Sequence, residues 1–202
     1  MRNKKTLEMV QLAVLIAIML IMAFTPLGFL RTAGLEISLL TIPVAIGAMS
    51  VGPVCGAILG TTFGLISFYQ CFGMSAFGAV LLGINPILTF IVCVPTRALM
   101  GFLTGVLFKP MLKVDKTKTA SYFLGGLLGA FLNTLFFMGT LLLCFGQDPY
   151  IAGLVSQLGK GNIFVFVLAF VGINGLLEMP LTCIAGGAVS KALSRAFRRN
   201  NA

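Results

Sequence analysis

The chain has 202 residues, of which 58% are hydrophobic and only 9% are charged, and its mean hydropathy is +1.07. A soluble domain is ordinarily about a quarter charged, so this composition excludes a water-soluble globule and predicts an integral membrane protein, with residues 1–202 forming one domain. The net charge of +9 would suggest a nucleic-acid partner in a soluble protein, whereas in a membrane protein it reflects the sidedness of the loops.

Six apolar segments follow one another along the chain, and each is predicted to be a membrane-spanning helix, which needs about 20 apolar residues. The first is interpreted as a retained helix rather than a signal peptide, because its apolar run exceeds the usual length of about 7–15 residues. The turn signal VGP at 51–53 separates the second segment from the third. The predicted spans are 7–27, 39–51, 54–70, 86–108, 119–145 and 162–190.

The positions of the basic residues predict the orientation of this all-α, six-helix bundle. With an even number of spans, the N-terminus, the 109–118 loop and the C-terminus lie on one side, and these regions hold most of the 14 basic residues. The positive-inside rule then places both termini in the cytoplasm, and no nucleic-acid partner is needed to explain the charge. The external connections 25–38 and 71–85, with a third at 145–162, are either interfacial loops or lids over an outward-facing pocket.

Small residues recur at four-residue spacing in several spans, a pattern that lets helix backbones approach closely in lipid. The pattern comprises Ala13 and Ala17 in the first span, Gly56, Gly60 and Gly64 in the third, and Gly101 and Gly105 in the fourth. Most of these positions are expected to pack inside the bundle.

Residues that could support catalysis or bind a metal are scarce. The chain has no His, its five acidic residues are dispersed, and its five Cys include no C-x-x-C pair, so neither a metal site, a cofactor nor an enzymatic activity is predicted. The segment GLVSQLGKGN lacks the glycine spacing of a phosphate-binding loop. If ATP drives this protein, another subunit hydrolyses it.

An arginine lies within the fourth span, and it is the principal candidate for a binding residue. Arg97 follows the outer end of its helix by about 11 residues, or roughly 16 Å, which is near the middle of a bilayer core about 30 Å thick. An arginine at this depth costs at least about 2.5 kcal/mol and indicates a functional site. Two readings are open: an ion pair with Glu178, or a bidentate grip on the carboxylate of an anionic substrate.

Three asparagines accompany these charges. Asn174 lies one helical turn before Glu178, Asn133 lies midway along the fifth span, and Asn85 lies at the outer mouth of the same predicted pocket. Asn85 and Asn133 could instead form helix–helix hydrogen bonds. The similar depth of these polar groups favours one substrate-binding pocket formed by Arg97, Asn133, Asn174 and Glu178, with Asn85 at its entrance.

The segment TIPVAIGAMSVGPVCGAILGTTFGLISF, the six spans and the cytoplasmic termini together resemble a substrate-binding S component of an energy-coupling factor (ECF) vitamin transporter. The resemblance implies a plasma-membrane, multi-pass subunit that captures a vitamin with high affinity and has no ATPase of its own. Its implied partners are a transmembrane coupling subunit (the T component), two ATP-binding subunits and the surrounding membrane lipid. The Ala13–Ala17 step resembles the family's motif in the first helix that packs against the coupling subunit.

Within the family the sequence looks most like the pantothenate type, and Arg97 suits a ligand with one carboxylate and several hydroxyl or amide groups. Riboflavin, biotin, folate and pyridoxine are alternative substrates. A different class of function, a self-sufficient proton-coupled carrier of small organic anions with Glu178 as its proton site, is also compatible with a lone intramembrane carboxylate, although no inverted repeat is visible.

Overall fold

A computed structural model of the chain describes residues 4–25, 28–32, 35–115, 117, 119–159 and 178–199, and these are helical apart from one short β-hairpin and the turns. Residues 178–181 are helical and lead through a π-helical turn, Thr182–Gly186, into the last helix. The helices, numbered in chain order, are α1 (Lys4–Ala23), α2 (Thr41–Ser50), α3 (Pro53–Gln70), α4 (Ala76–Ile84), α5 (Pro86–Val114), α6 (Ala120–Phe145), α7 (Pro149–Gly159) and α8 (Gly187–Arg199).

Three of these helices, α1, α5 and α6, are long and apolar enough to cross a membrane. Helix α2, with 10 residues, rises only about 15 Å, and α3, with 18 residues, rises about 27 Å. Most of the predicted span 162–190 precedes residue 178 and lies outside the described residues. A helical membrane fold is therefore confirmed in outline, whereas the six spans and the cytoplasmic termini stay predictions.

The predicted connection at 25–38 contains a short β-hairpin, which adds two strands to an otherwise helical fold. Strand β1 (Phe29–Thr32) pairs antiparallel with β2 (Leu35–Ser38), in a register that sets Phe29 opposite Ser38 and Thr32 opposite Leu35. Antiparallel strands need only a short connection between them, and two residues separate Thr32 from Leu35 in the sequence. The pairing satisfies backbone groups that a loop would expose.

Two other predicted connections contain short helices. Helix α4 lies within 71–85 and is capped at its start by Ser75, whose Oγ accepts a hydrogen bond from the Gly78 amide at 3.1 Å. Helix α7 lies within 145–162. With 9 and 11 residues, both are too short to cross a bilayer core about 30 Å thick. The sequence rule that identifies spans by apolar length does not detect such helices.

Helices α3 and α5 pack with their backbones in direct proximity along a seam of glycines. A Cβ atom added to Gly101 would lie 2.0 Å from the Gly56 carbonyl oxygen, and one added to Gly60 would lie 2.1 Å from the Arg97 carbonyl oxygen. The main hydrophobic core beside this seam includes the fully buried Phe63 and Met100. The prediction that small residues pack inside the bundle is confirmed for this pair of helices.

Candidate functional site

Arg97 is buried in the centre of the molecule, with 7% of its surface exposed. Its side chain turns back toward the start of α5, as long side chains on helices do, and its Nη1 donates to two carbonyl oxygens of the same helix. The acceptors are Cys93 O at 3.1 Å and Val92 O at 3.4 Å. Pro95, between these acceptors and Arg97, interrupts the regular hydrogen bonding of the helix.

Two aromatic rings flank the guanidinium. Its carbon Cζ lies 4.6 Å from the ring centroid of Phe63 on α3 and 5.0 Å from that of Phe137 on α6. Both distances are in the range of cation–π attraction, which is stronger in a site from which water is removed. The rings hold the planar group from two neighbouring helices and therefore limit the directions in which it can turn.

Asn133 and Glu178 form the second polar group of the site. The Asn133 Nδ2 donates a 3.0 Å hydrogen bond to Glu178 Oε1, and the two side chains are 8% and 4% exposed. The hydroxyl of Thr41 on α2 faces the same carboxylate and lies 3.3 Å from the Thr182 hydroxyl. Residues from α2, α6 and the helical segment at 178–181 therefore converge on one buried carboxylate.

Of the two readings of Arg97, the structure does not support the ion pair. Arg97 and Glu178 are both described, yet no basic nitrogen of Arg97 lies within the 4.0 Å of a Glu178 oxygen that defines an ion pair. Glu178 is instead fixed by a neutral amide, and Arg97 by backbone carbonyls. This arrangement leaves the charge of the guanidinium without a bound carboxylate among the described residues.

Two buried polar atoms of the site have no hydrogen-bond partner in the part of the chain that the structure describes. They are Arg97 Nε and Asn133 Oδ1. Buried polar groups are nearly always hydrogen-bonded, so a pair of unpartnered atoms in one place indicates a position that a ligand can complete. Nε is a donor and Oδ1 is an acceptor, so the ligand needs an acceptor at one end and a donor elsewhere.

The other two predicted site residues are Asn85, which the structure describes, and Asn174, which it does not. Asn85 caps the start of α5, where its Oδ1 accepts from the amides of Ile87 at 3.0 Å and Leu88 at 3.1 Å. Its side-chain oxygen therefore binds the amides of the helix, and only its Nδ2 remains to contact a ligand. Asn174 lies outside the described residues. Among those that are described, no group of three His, Cys, Asp or Glu side chains could hold a metal ion.

Sequence reasoning missed the aromatic rings and the hydroxyl of the site. Phe137 follows Asn133 by one helical turn, and Phe63 lies between Gly60 and Gly64 of the seam, so helical spacing from residues already selected would have indicated both. Thr41 carried no comparable signal, since a single hydroxyl at the start of an apolar helix is common.

The predicted partner-docking residues Ala13 and Ala17 are exposed on α1. They do not pack inside the subunit as the glycines of α3 and α5 do. In the apolar part of α1 only 11% of the residues are buried, compared with 50% in α5. The surface of α1 is therefore open to lipid or to another subunit.

Comparisons with known proteins show two similarities, one to a family model and one to a curated protein. The model of the family described as "ECF transporter, substrate-specific component" matches residues 7–185. The pantothenate transporter PanT of Leuconostoc mesenteroides subsp. mesenteroides is 26% identical over 201 residues, which cover 96% of this chain and 95% of that protein. The described site residues, Arg97, Asn133 and Glu178, all lie within the range that the family model matches.

Proposed function

The chain belongs to the family of substrate-specific components of ECF transporters, and on this premise we propose that it is the high-affinity binding subunit for a small water-soluble vitamin. The family consists of membrane-bound transport components, so the protein is not an enzyme. We propose pantothenate as the vitamin, since the similar Leuconostoc protein is named a pantothenate transporter and the buried site offers complementary groups.

The observation that carries this proposal is the free edge of the Arg97 guanidinium. Its Nη1 donates hydrogen bonds to the carbonyl oxygens of Val92 and Cys93. Its Nε and Nη2 make no hydrogen bond to any described residue. Nε and Nη2 form the edge that binds a carboxylate with two parallel hydrogen bonds. The site therefore presents one bidentate position for a carboxylate, and pantothenate has one carboxylate.

The other end of the ligand is proposed to meet Asn133. Because the amide nitrogen of Asn133 donates to Glu178, its Oδ1 points away from Glu178 and needs a hydrogen-bond donor. An amide N–H or a hydroxyl supplies one, and pantothenate contains both. Asn174 and the amide nitrogen of Asn85 are proposed as additional contacts from the last span and from the mouth of the pocket.

The proposed transport complex includes subunits that this chain does not contain. We propose that a transmembrane coupling subunit docks on the exposed Ala13–Ala17 stripe of α1 and that two ATP-binding subunits hydrolyse ATP. The protein itself is proposed to lie in the plasma membrane as a multi-pass subunit with cytoplasmic termini. The exposure of the stripe supports the docking surface, because none of the described residues covers it.

Isothermal titration of pantothenate into the purified protein tests the binding proposal. Arg97→Ala is expected to lower the affinity at least 100-fold, and Arg97→Lys is expected to lose most of the affinity because an ammonium cannot form the two parallel bonds. Arg195→Ala, which removes an exposed arginine of α8, is the matched control and should bind as the wild type does.

Unchanged affinity in Arg97→Ala would remove this residue from the site and overturn the proposed binding mode. A second measurement separates the transporter classes: the protein alone in liposomes should bind vitamin without accumulating it. Proton-driven uptake in the absence of ATP-binding subunits would instead identify a secondary carrier.

A further inference from the structure

A cleft at the far end of α5 from Pro86 carries two lysines and has no part in the proposed vitamin site. It has a volume of about 520 Å³ and lies between the α2–α3 turn and the last turns of α5. Lys109 and Lys113 line it together with Met49, Gly52 and Leu112, and none of the described residues in its wall is acidic. Neither lysine has a hydrogen bond or an ion pair in the described part of the chain.

The cleft arises because α5 extends beyond the helix that it packs against. Gly101 and Gly105 lie on the face of α5 that contacts α3, and the added Cβ of Gly105 would lie 2.6 Å from Pro53, the first residue of α3. Residues four apart share a helix face, so Lys109 and Lys113 continue this stripe. They lie beyond the first residue of α3, where the α2–α3 turn forms the opposite wall.

The length of α5 places this cleft at the membrane surface. Its 29 residues rise about 43 Å, which exceeds the hydrocarbon core of about 30 Å. Helix α3, with 18 residues, rises about 27 Å and ends its contact with α5 near Gly105. The lysines therefore lie at the level of the lipid headgroups, and Met49 and Leu112 supply apolar side chains to the same cleft.

We propose that this cleft binds the phosphate group of an anionic phospholipid such as phosphatidylglycerol. Basic pockets between membrane helices at the headgroup level attract anionic lipids, and each lysine near the surface strengthens the attraction about fivefold. The two ammonium groups hold the phosphate, and the apolar wall contacts the start of the acyl chains. Among the described residues that line the cleft, the two lysines are the charged ones, and Glu8 lines a neighbouring pocket that shares Val51 and Gly52 with it.

Native mass spectrometry of the purified full-length protein tests the proposal, with phosphatidylglycerol and phosphatidylcholine added at equal concentrations. The wild type should retain phosphatidylglycerol preferentially, and K109Q/K113Q should lower this retention about 30-fold. The control K191Q/R195Q changes the net charge by the same amount at exposed or half-buried positions of α8 outside the cleft, and it should retain the lipid as the wild type does. Raising the salt concentration should weaken retention in the wild type.

Three outcomes would overturn the proposal. Equal retention of phosphatidylglycerol by K109Q/K113Q and the wild type would exclude the lysines, and equal losses in both double variants would indicate a non-specific surface charge. Binding of inorganic phosphate without retention of phosphatidylglycerol would assign the cleft to a soluble anion. The single variants K109Q and K113Q, each expected to reduce retention about fivefold, provide the same comparison if the double variant is poorly folded.

Discussion

Small residues at four-residue spacing occur in both α1 and α5, but the two helices use them differently. Gly101 of α5 lies against the backbone of Gly56, so close that an added Cβ would be 2.0 Å from its carbonyl oxygen. Ala13 and Ala17 of α1 are exposed and lie on a helix that is mostly uncovered. The same pattern therefore marks an internal seam in one helix and an open surface in the other.

This difference indicates what each helix contributes to the protein. The seam brings α3 and α5 together and so positions Phe63 beside Arg97, which gives the glycines an indirect role in the site. The stripe on α1 positions no site residue among those described. A substitution that adds volume to the seam should therefore disturb folding and binding, whereas the same addition on α1 should disturb neither.

The largest effect is expected for Gly101→Leu. The new side chain would meet the Gly56 backbone, which cannot move aside as a flexible side chain could, and the loss should reach or exceed the upper end of the about 1–3 kcal/mol typical of overpacking. Size-exclusion chromatography and thermal unfolding in mild detergent should show aggregated or strongly destabilised protein.

Gly139→Leu is the matched control, since an added Cβ at this position of α6 would have no described atom within 4 Å apart from its chain neighbours and the backbone of its own helix. It should remain monodisperse and unfold at the temperature of the wild type. A folded Gly101→Leu with unchanged vitamin affinity would contradict the close seam between α3 and α5.

A smaller effect is expected when the Asn133–Glu178 hydrogen bond is removed from the buried site. Asn133→Leu leaves a buried carboxylate short of a donor and should lower the free energy of unfolding by about 1–3 kcal/mol or more. Glu178→Leu leaves the amide unpaired. Because the double variant removes both partners, it should lose less than the sum of the two single losses, as measured by thermal or denaturant unfolding.

A double-mutant cycle for Arg97 and Glu178 provides the comparison with the cycle for Asn133 and Glu178. Since no ion pair joins them and only a longer-range attraction between their charges remains, Arg97→Met and Glu178→Gln should show a smaller coupling free energy than Asn133→Leu and Glu178→Leu. Strong rescue in that double variant would restore the ion pair, which is one of the two readings that the sequence leaves open.

The depth of the site residues could be predicted from the sequence, whereas their directions could not. Counting residues from the ends of the spans places Arg97 and Asn133 in the middle of apolar segments, and both are buried in one site. Which way a side chain turns depends on the rotation of each helix about its axis, and this is set by packing against neighbours. The choice of Asn133 rather than Arg97 as the partner of Glu178 is such a tertiary result.

The secondary structure of the connections between the spans also could not be predicted from the sequence. Apolar length identifies spans, but the hairpin, α4 and α7 are too short to give that signal. Helix α5 runs six residues past its predicted end, because the stretch KPMLK consists mostly of good helix formers despite its Pro110. That extension carries Lys109 and Lys113 beyond the start of α3 and so forms the cleft that they line.

A modest effect is expected at the exposed end of α5, where Asp115 holds the turn to α6. Its Oδ2 accepts from the Ser121 amide at 2.8 Å and its Oδ1 from the Thr117 hydroxyl at 2.7 Å. These bonds, the one from the Ser121 amide above all, hold the pKa of this carboxyl below its usual range. Asp115→Asn should lower the unfolding temperature slightly at neutral pH.

The pH dependence of that difference checks its cause. A carboxyl whose pKa is depressed by folding stabilises the protein above its unfolded pKa of about 3.9 and loses this contribution as the pH falls toward the folded pKa. The gap between the wild type and Asp115→Asn should therefore be constant from neutral pH to about pH 5 and should shrink below about pH 4. A gap that does not change in acid would indicate that the carboxylate charge is irrelevant to the turn.

The smallest effect on the isolated subunit is expected for Ala13→Leu combined with Ala17→Leu. Both positions are exposed, so the larger side chains displace lipid or detergent rather than protein atoms, and stability should change by no more than about 0.5 kcal/mol per substitution. Vitamin affinity should be unchanged, because no described site residue lies on α1. Unfolding and isothermal titration of the isolated double variant measure both quantities.

The same variant should fail where the wild type succeeds in the complex. Small residues permit close helix approach, and two leucines on the stripe would hold the coupling subunit away. The double variant should not co-purify with the coupling subunit and should lose ATP-dependent uptake, whereas Val10→Leu with Val14→Leu, at exposed positions of the same helix that are already bulky, should keep both. If the alanine variant instead loses vitamin affinity in isolation, the stripe packs within the subunit and the contrast between α1 and α5 fails.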